Sequence, residues 1–232
     1  MFQEGPILFS FRGIFGVPVQ VSQSAALLIG IIAAVTLMRG GDPVNLVLTM
    51  GILVGSVYLH ELGHAWGARV QGLRVDRIVL HGFGGFCQHQ RSSYKQDELI
   101  VAMGPIVNLA IWAICGLLAQ WVYSRALLDP EAARFGIMVF PWLLFTGGLN
   151  LLLFLFNMVP VQPLDGGKLL LLGLRRFLPP ATALRYAGAV GLVFCLLWWP
   201  GLILLFLNTG WLIFFAPSFA LHRAMMRGQP RG

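Results

Sequence analysis

Long apolar runs constrain this chain more than any other feature of its sequence. They lie near residues 22–38, 44–70, 99–123 and 135–157, and a longer run covers 183–217. A helix needs about 20 apolar residues to cross the hydrocarbon core of a bilayer, so these lengths predict membrane-spanning helices. The composition agrees, because 57% of the residues are hydrophobic and only 11% are charged. The sequence therefore predicts an all-α, polytopic membrane protein that lies in a lipid bilayer.

The last apolar run is too long for one crossing and is predicted to form two short spans, 183–199 and 201–217. A break is expected at Trp199-Pro200-Gly201, because proline and glycine interrupt helices. This division gives about six transmembrane helices within a single domain, 1–232.

The fourth helix is expected to be broken near its end. The segment after it begins with Pro160 and Pro163 and continues into Gly166-Gly167-Lys168, followed by four leucines. Prolines disfavour the helical conformation in the residue before them, so this pattern predicts an unwound stretch that leads into a short amphipathic helix.

The positions of lysine and arginine predict the orientation of the chain. With six spans and a cytoplasmic N-terminus, Arg39, Arg125 and Arg134 are the only three of the 16 basic residues placed outside. Positive residues concentrate on the cytoplasmic side, so both termini are expected there, in what is predicted to be a bacterial plasma membrane. The net charge of +7 is thereby explained by topology, and no nucleic-acid partner is expected.

The second apolar run contains His60-Glu61-Leu62-Gly63-His64, an H-E-x-x-H sequence. Two histidines four residues apart share one helical face, about 6 Å apart along the axis, and can reach one zinc ion. The neighbouring Glu61 is suited to take a proton from zinc-bound water. The alternative is that His60 and His64 only form hydrogen bonds inside a helix bundle. Ionisable groups are expensive in a bilayer, at roughly 2.5 to 3.5 kcal/mol each, and this favours the metal site.

A catalytic zinc normally takes three protein ligands, and Asp165 is the candidate for the third. It is the only acidic residue between Glu131 and the C-terminus. Prolines before it and glycines after it allow the chain to leave a helix and aim one carboxylate inward. The alternative role is a cap on the short helix that starts nearby. Both parts of the proposed site lie towards the cytoplasmic end of their spans, so they are expected at similar depth.

These motifs together resemble the site-2 protease family of intramembrane zinc metalloproteases, peptidase family M50. The resemblance is carried by His60-Glu61-Leu62-Gly63-His64, by Gly104-Pro105-x-x-Asn108, and by Asn157-x-x-Pro160-x-x-Pro163-Leu164-Asp165-Gly166-Gly167. It implies a Zn²⁺ cofactor bound by His60, His64 and Asp165, with Glu61 as the catalytic base. It also implies cleavage within the transmembrane helix of a membrane-protein substrate, as in regulated intramembrane proteolysis.

The resemblance also implies further site residues. It implies that Asn157 lies near the active site and holds the substrate backbone or an oxyanion; the alternative is a helix-bridging amide. Residues 75–86 resemble a short membrane-associated β-hairpin of the family, in which Gly84 and Gly85 would meet an unwound substrate strand. An interfacial loop is the alternative there. Gln162 departs from the motif, since proline is frequent at that position.

The sequence also bears on three alternatives to an intramembrane protease, namely a transporter, an inactive scaffold and a prenyl-protein protease. The chain has no room for a PDZ domain or a nucleotide-sensing CBS domain, so a separate regulatory partner is expected. A metal- or proton-coupled transporter would spread ionisable residues across the bilayer and often show an internal repeat, and neither is seen. An inactive, protease-like membrane scaffold would be expected to lack Glu61 or a ligand. A prenyl-protein protease would not explain Leu164-Asp165-Gly166-Gly167.

Overall fold

The computed structural model describes residues 6–82, 84–209 and 215–229. Within them the chain is mostly helical and contains one small β-sheet. The elements, in order, are β1 Ile7–Arg12, β2 Pro18–Ser22, α1 Gln23–Met38, α2 Pro43–Arg69, β3 Val75–His81, β4 Gly84–His89, α3 Tyr94–Ala126, α4 Pro130–Asn157, α5 Asp165–Leu174, α6 Pro180–Thr209 and α7 Phe219–Met226.

The chain divides into two compact units, each made of two stretches of sequence. The first unit contains Met1–Arg91 and Met103–Phe154, as far as these are described. The second contains Ser92–Ala102 and Leu155–Gly232, with the same restriction. The H-E-x-x-H sequence lies in the first unit, and Asp165 lies in the second.

Four helices in the described part of the chain are long and apolar enough to cross a membrane, by length and composition. They are α2, α3, α4 and α6. Helix α1 is also apolar but has only 16 residues, fewer than the roughly 20 that a span needs. Of the roughly six spanning helices expected, the described residues therefore contain four of full length.

The predicted break at Trp199-Pro200-Gly201 is wrong, because α6 is continuous from Pro180 to Thr209 with Pro200 inside it. Proline removes only one backbone donor, and an apolar helix surrounded by lipid keeps its other hydrogen bonds, since no water would replace them. Residues 201–209, the first part of the predicted span 201–217, are thus the end of α6. Its residues 210–214 lie outside the described part, and residues 215–218 are not helical.

The strands form a single four-stranded sheet in the order β1-β2-β3-β4. The predicted hairpin is present as the antiparallel pair β3 and β4, with Phe83 outside the described residues. The expectation of an otherwise all-α chain is corrected, because β1 and β2 form a second antiparallel pair and β2 runs parallel to β3. Sequence patterns miss this parallel pairing because it joins segments more than 50 residues apart.

The sheet packs against the part of α2 that carries the two histidines. Val19 and Ile78 are fully buried, and they form one apolar cluster with Leu80 of the sheet and with Leu62 and Ala65 of α2. Leu62 and Ala65 flank His64 along the helix. The apolar contact therefore fixes the turn of α2 on which His60, Glu61 and His64 stand.

In the second unit, α4 gives way to α5 through a non-helical segment, as the prolines predict. Helix α4 ends at Asn157, residues 158–164 are turns and bends, and α5 begins at Asp165. Helix α7 then packs along α6.

Candidate metal centre

One turn of α2 brings His60, Glu61 and His64 together, with possible ligand atoms of all three within 4.8 Å of one another. The Nε2 atoms of the two histidines are 3.1 Å apart, and the rings meet edge to face. All three side chains are buried, with exposed fractions of 6%, 4% and 8%. Two imidazoles and a carboxylate thus converge where little water reaches them.

A chain of amide side chains fixes the tautomer of His60. The carbonyl of Thr146 can only accept, so Asn150 presents its NH₂ there, at 2.9 Å, and also to Ser56 Oγ. Asn150 Oδ1 then accepts from Asn108 Nδ2 at 2.8 Å. That leaves Asn108 Oδ1 to accept from His60 Nδ1 at 2.5 Å. His60 is therefore protonated at Nδ1, and its Nε2 lone pair is directed at His64.

The space around the histidine nitrogens depends on Gly104 of α3. A Cβ atom at this position would overlap His64 at Cε1 and Nε2, and it would lie 2.7 Å from His60 Nε2. The absence of a side chain at Gly104 leaves room at the point towards which both nitrogens face.

Glu61 lies against strand β4 with part of its carboxylate unsatisfied. A Cβ at Gly85 would be 2.6 Å from Glu61 Cγ and 2.9 Å from Oε1, so only glycine allows this approach. The other oxygen, Oε2, is buried and has no hydrogen-bond partner among the described residues. A buried carboxylate oxygen without a partner is costly, and it indicates that a further group binds at this position.

His81 at the end of β3 lies within the electrostatic field of Glu61. Burial lowers the pKa of His81 below its ordinary value, and the negative charge of Glu61 acts in the opposite direction. Because burial is the larger effect, it favours the uncharged form of His81.

The donor set fits a zinc ion. Zinc binds imidazole nitrogens at roughly 2.0–2.1 Å in tetrahedral geometry, which places two such nitrogens about 3.3 Å apart. The observed separation of 3.1 Å is close to this value. The hydrogen bond from His60 Nδ1 to Asn108 is the kind of second contact that orients a metal-binding histidine.

Two more of the predicted site residues, Asp165 and Asn157, lie in the second unit. Asp165 is 3% exposed and is the first residue of α5, after Leu164 at the N-cap, so it does not occupy the cap position itself. Its Oδ1 accepts from Lys168 Nζ at 3.0 Å. Asn157 is the last residue of α4 and is half-buried.

Comparison with known proteins places the chain in a family. The sequence model described as Peptidase family M50 matches residues 48–128 and 128–198, which is well over half of the chain. The chain belongs to peptidase family M50. The matched region includes the H-E-x-x-H turn of α2 and the segment around Asp165.

Individual M50 relatives agree with this assignment. Stage IV sporulation protein FB of Bacillus subtilis is 31% identical over 170 residues, which cover 72% of this chain and 52% of that protein. A zinc metalloprotease of Methanocaldococcus jannaschii is 27% identical over 157 residues, covering 68% of this chain and 42% of that protein. The chain thus spans about half the length of these relatives.

A solved structure shares the fold. The site-2 protease from Methanocaldococcus jannaschii matches with a TM-score of 0.61 and 21% identity, covering 95% of this chain and 92% of that one. The fold of this chain is therefore similar to that of this solved site-2 protease.

Sequence reasoning did not identify Asn150 or Ser56. Both are buried polar residues in apolar helices, with exposed fractions of 0% and 4%. An amide side chain inside an apolar span is a sign of an interhelical hydrogen bond, and this sign could have singled out Asn150. The partner of Asn150 could not be inferred, because Ser56 is 94 residues away in the chain.

Proposed function

We propose that this M50 protein is an intramembrane zinc endopeptidase that hydrolyses a peptide bond in or near the transmembrane helix of a membrane-protein substrate. The observation that carries the proposal is the pair of histidine Nε2 atoms 3.1 Å apart, with the His60 tautomer set by Asn108. A neighbouring buried carboxylate with an unsatisfied oxygen completes the chemistry that peptide hydrolysis needs.

His60, His64 and Asp165 would hold the zinc ion, and Glu61 would act as the general base. When bound, zinc supplies Lewis acidity that lowers the pKa of a coordinated water towards 7. Glu61 takes the proton from the attacking water and returns it to the leaving amine, so that both products leave neutral at the cleaved bond. Contact with Gly85 restricts the rotamers of Glu61 and keeps its carboxylate in place.

The assignment of Asp165 as the third ligand rests on chemistry and burial. A carboxylate that is 3% exposed needs partners, and Lys168 provides one contact to Oδ1. Asp165 is the only acidic residue in the motif from Asn157 to Gly167, so no other carboxylate of this motif can be the third zinc ligand.

Strand β4 is the proposed docking edge for the substrate. It lies at one edge of the sheet, and its residue Gly85 is in contact with Glu61. A spanning helix hides its peptide bonds in internal hydrogen bonds, so it must unwind before attack. An unwound segment added to β4 near Gly84 and Gly85 would recover those hydrogen bonds beside the base. Asn157 is proposed to contact the substrate backbone.

The fold of the second unit supports a cytoplasmic C-terminus. Helix α7 packs closely against the N-terminal half of α6. The two helices are so close at Gly188 that a Cβ atom there would overlap the backbone at His222 and Met226. The guanidinium of Arg185 lies near Gly228. Basic residues of the C-terminal helix are therefore on the same side as the start of α6, as expected if that side faces the cytoplasm of a bacterial plasma membrane.

Removal of zinc tests the proposed function. We expect the purified full-length chain in liposomes to cleave members of a panel of single-span membrane proteins, with cleavage sites mapped by mass spectrometry inside or beside the spans. Treatment with a chelator should abolish cleavage, and one equivalent of zinc should restore it. The measurement is the amount of each mapped product before chelation, after chelation and after zinc is added back.

A soluble, unfolded protein serves as the control substrate and should remain uncut, because it offers no transmembrane segment. Chelation that leaves cleavage intact would contradict the zinc mechanism. Zinc-dependent transport of protons or metal across the liposome, with no cleavage of any substrate, would favour the transporter. Bound zinc with neither activity would favour the inactive scaffold.

A further inference from the structure

The buried side chain of His222 connects α7 to the segment before Asp165. His222 Nε2 accepts a hydrogen bond from the backbone N–H of Gln162 at 3.0 Å, and Nδ1 faces the carbonyl of Ser218 at 2.8 Å. That carbonyl can only accept, so Nδ1 carries the proton and Nε2 is the acceptor that Gln162 requires. His222 is 1% exposed and Gln162 is 5% exposed. The ring is thus held in one tautomer between two backbone groups.

A second set of contacts joins the residues before α7 to the end of α4 and to α6. The ring of Phe215 packs edge to face on Phe156, with centroids 5.4 Å apart, and on Trp198 of α6 at the same distance. Trp198 Nε1 also donates to the carbonyl of Phe215 at 2.7 Å. We call residues 215–226 the C-terminal clamp, because they contact both the end of α4 and the segment 158–164.

The clamp can approach α6 closely because of two glycines. A Cβ at Gly191 would overlap the ring of His222, and a Cβ at Gly188 would lie 2.8 Å from the carbonyl oxygen of His222. Cys195 Sγ lies 3.5 Å from His222 Nδ1 on the same side. His222 therefore fills a space that α6 leaves for it, and its ring has little freedom to turn.

The segment held by His222 is packed directly on the first turn of α5. Cβ atoms at Gly166 and Gly167 would overlap the backbone at Met158 and Val161. Val161 is fully buried. Because these backbones touch without intervening side chains, a shift of Gln162 moves the start of α5, where Asp165 stands.

We propose that His222 is a positioning residue: through its hydrogen bond to the Gln162 N–H, it holds segment 158–164 so that Asp165 is kept in place to bind zinc. The inference rests on the proposed function, in which Asp165 is a zinc ligand. The proposal also explains why a residue other than proline stands at position 162. Proline is frequent at this motif position in the family, but it has no N–H to donate to a histidine.

Two substitutions at one position separate the two hydrogen bonds of the ring. His222→Gln places an amide oxygen near the position of Nε2 and keeps an acceptor for Gln162. His222→Asn places an amide nitrogen near Nδ1, keeps the donor to Ser218 and loses the acceptor. Both variants are purified as full-length chains beside wild type and Asp165→Asn, and gel filtration with thermal unfolding establishes that each is folded.

Two measurements are made on each folded variant. The first is zinc affinity by competition with a chelator. The second is hydrogen–deuterium exchange over residues 158–168 in the metal-free chain, which does not depend on activity. We expect His222→Asn to bind zinc roughly 10 to 100 times more weakly and to exchange faster in this segment, with His222→Gln within about threefold of wild type in both.

Each result decides the proposal. Weaker zinc binding in Asp165→Asn together with unchanged affinity and exchange in His222→Asn would overturn the positioning role and leave the proposed function intact. Equal losses in His222→Asn and His222→Gln would also overturn it, since the acceptor would then be irrelevant. Unchanged zinc affinity in Asp165→Asn would refute the ligand assignment of the proposed function, and the inference with it.

Discussion

Replacing Gly104 with alanine is expected to abolish both zinc binding and proteolysis. The added Cβ would overlap His64 at Nε2 and lie 2.7 Å from His60 Nε2, which is where the ion must be bound. Alanine favours a helix interior by about 1 kcal/mol over glycine, so α3 itself should not be weakened. The loss should therefore appear as an absence of zinc, measured by elemental analysis, in a chain that gel filtration shows to be folded.

Gly116→Ala is the matched control, because Gly116 lies on the same helix and a Cβ there meets nothing within 4 Å. It should bind zinc and cleave substrate like wild type. Zinc content and cleavage that stay normal in Gly104→Ala would show that the ion is not bound between these histidines.

Glu61→Gln is expected to lower the cleavage rate by about 100-fold to 10,000-fold, the usual contribution of a general base. Glutamine has nearly the same shape, so it fits against Gly85, but its amide cannot take a proton from water. Zinc should remain bound, since His60 and His64 are unchanged. The measurement is kcat on a substrate identified with wild type, together with the zinc content of both proteins.

Glu131→Gln controls for the loss of an acidic residue, because Glu131 is exposed in the first turn of α4. Its rate should equal that of wild type. If Glu61→Gln cleaves as fast as wild type and retains zinc, another group must act as the base.

The local parts of the site could be predicted from the sequence because they depend on short spacings. The separation of His60 and His64 by four residues is enough to place two imidazoles on one helix face, and the structure puts their ligand atoms together. The prolines before Asp165 likewise predict the non-helical segment between α4 and α5.

The parts that could not be predicted depend on pairings between distant residues. Asn150 reaches Asn108 and Ser56 across separations of 42 and 94 residues, and no spacing rule selects these partners. Strand β1 also escaped prediction, since all six of its residues are exposed and it begins with three consecutive apolar residues, Ile7 to Phe9, before any alternation starts.

The continuity of α6 shows the limit of a residue-based rule. Pro200 was expected to end a helix, as it would in water. In an apolar helix within lipid, however, interrupting the helix would leave further backbone groups without hydrogen-bond partners. The helix therefore continues past Pro200 to Thr209. The role proposed for His222 also lay beyond sequence reasoning, because its contact with Gln162 crosses 60 residues.

The zinc content of the purified chain, compared with that of a His60→Ala, His64→Ala double variant, tests the central claim most directly. We predict about one zinc ion per chain in the wild type and none in the double variant, because two of the three protein ligands are lost. Wild-type protein that carries no zinc even after exposure to it, or a double variant that binds as much as wild type, would contradict the assignment of a zinc centre to His60 and His64.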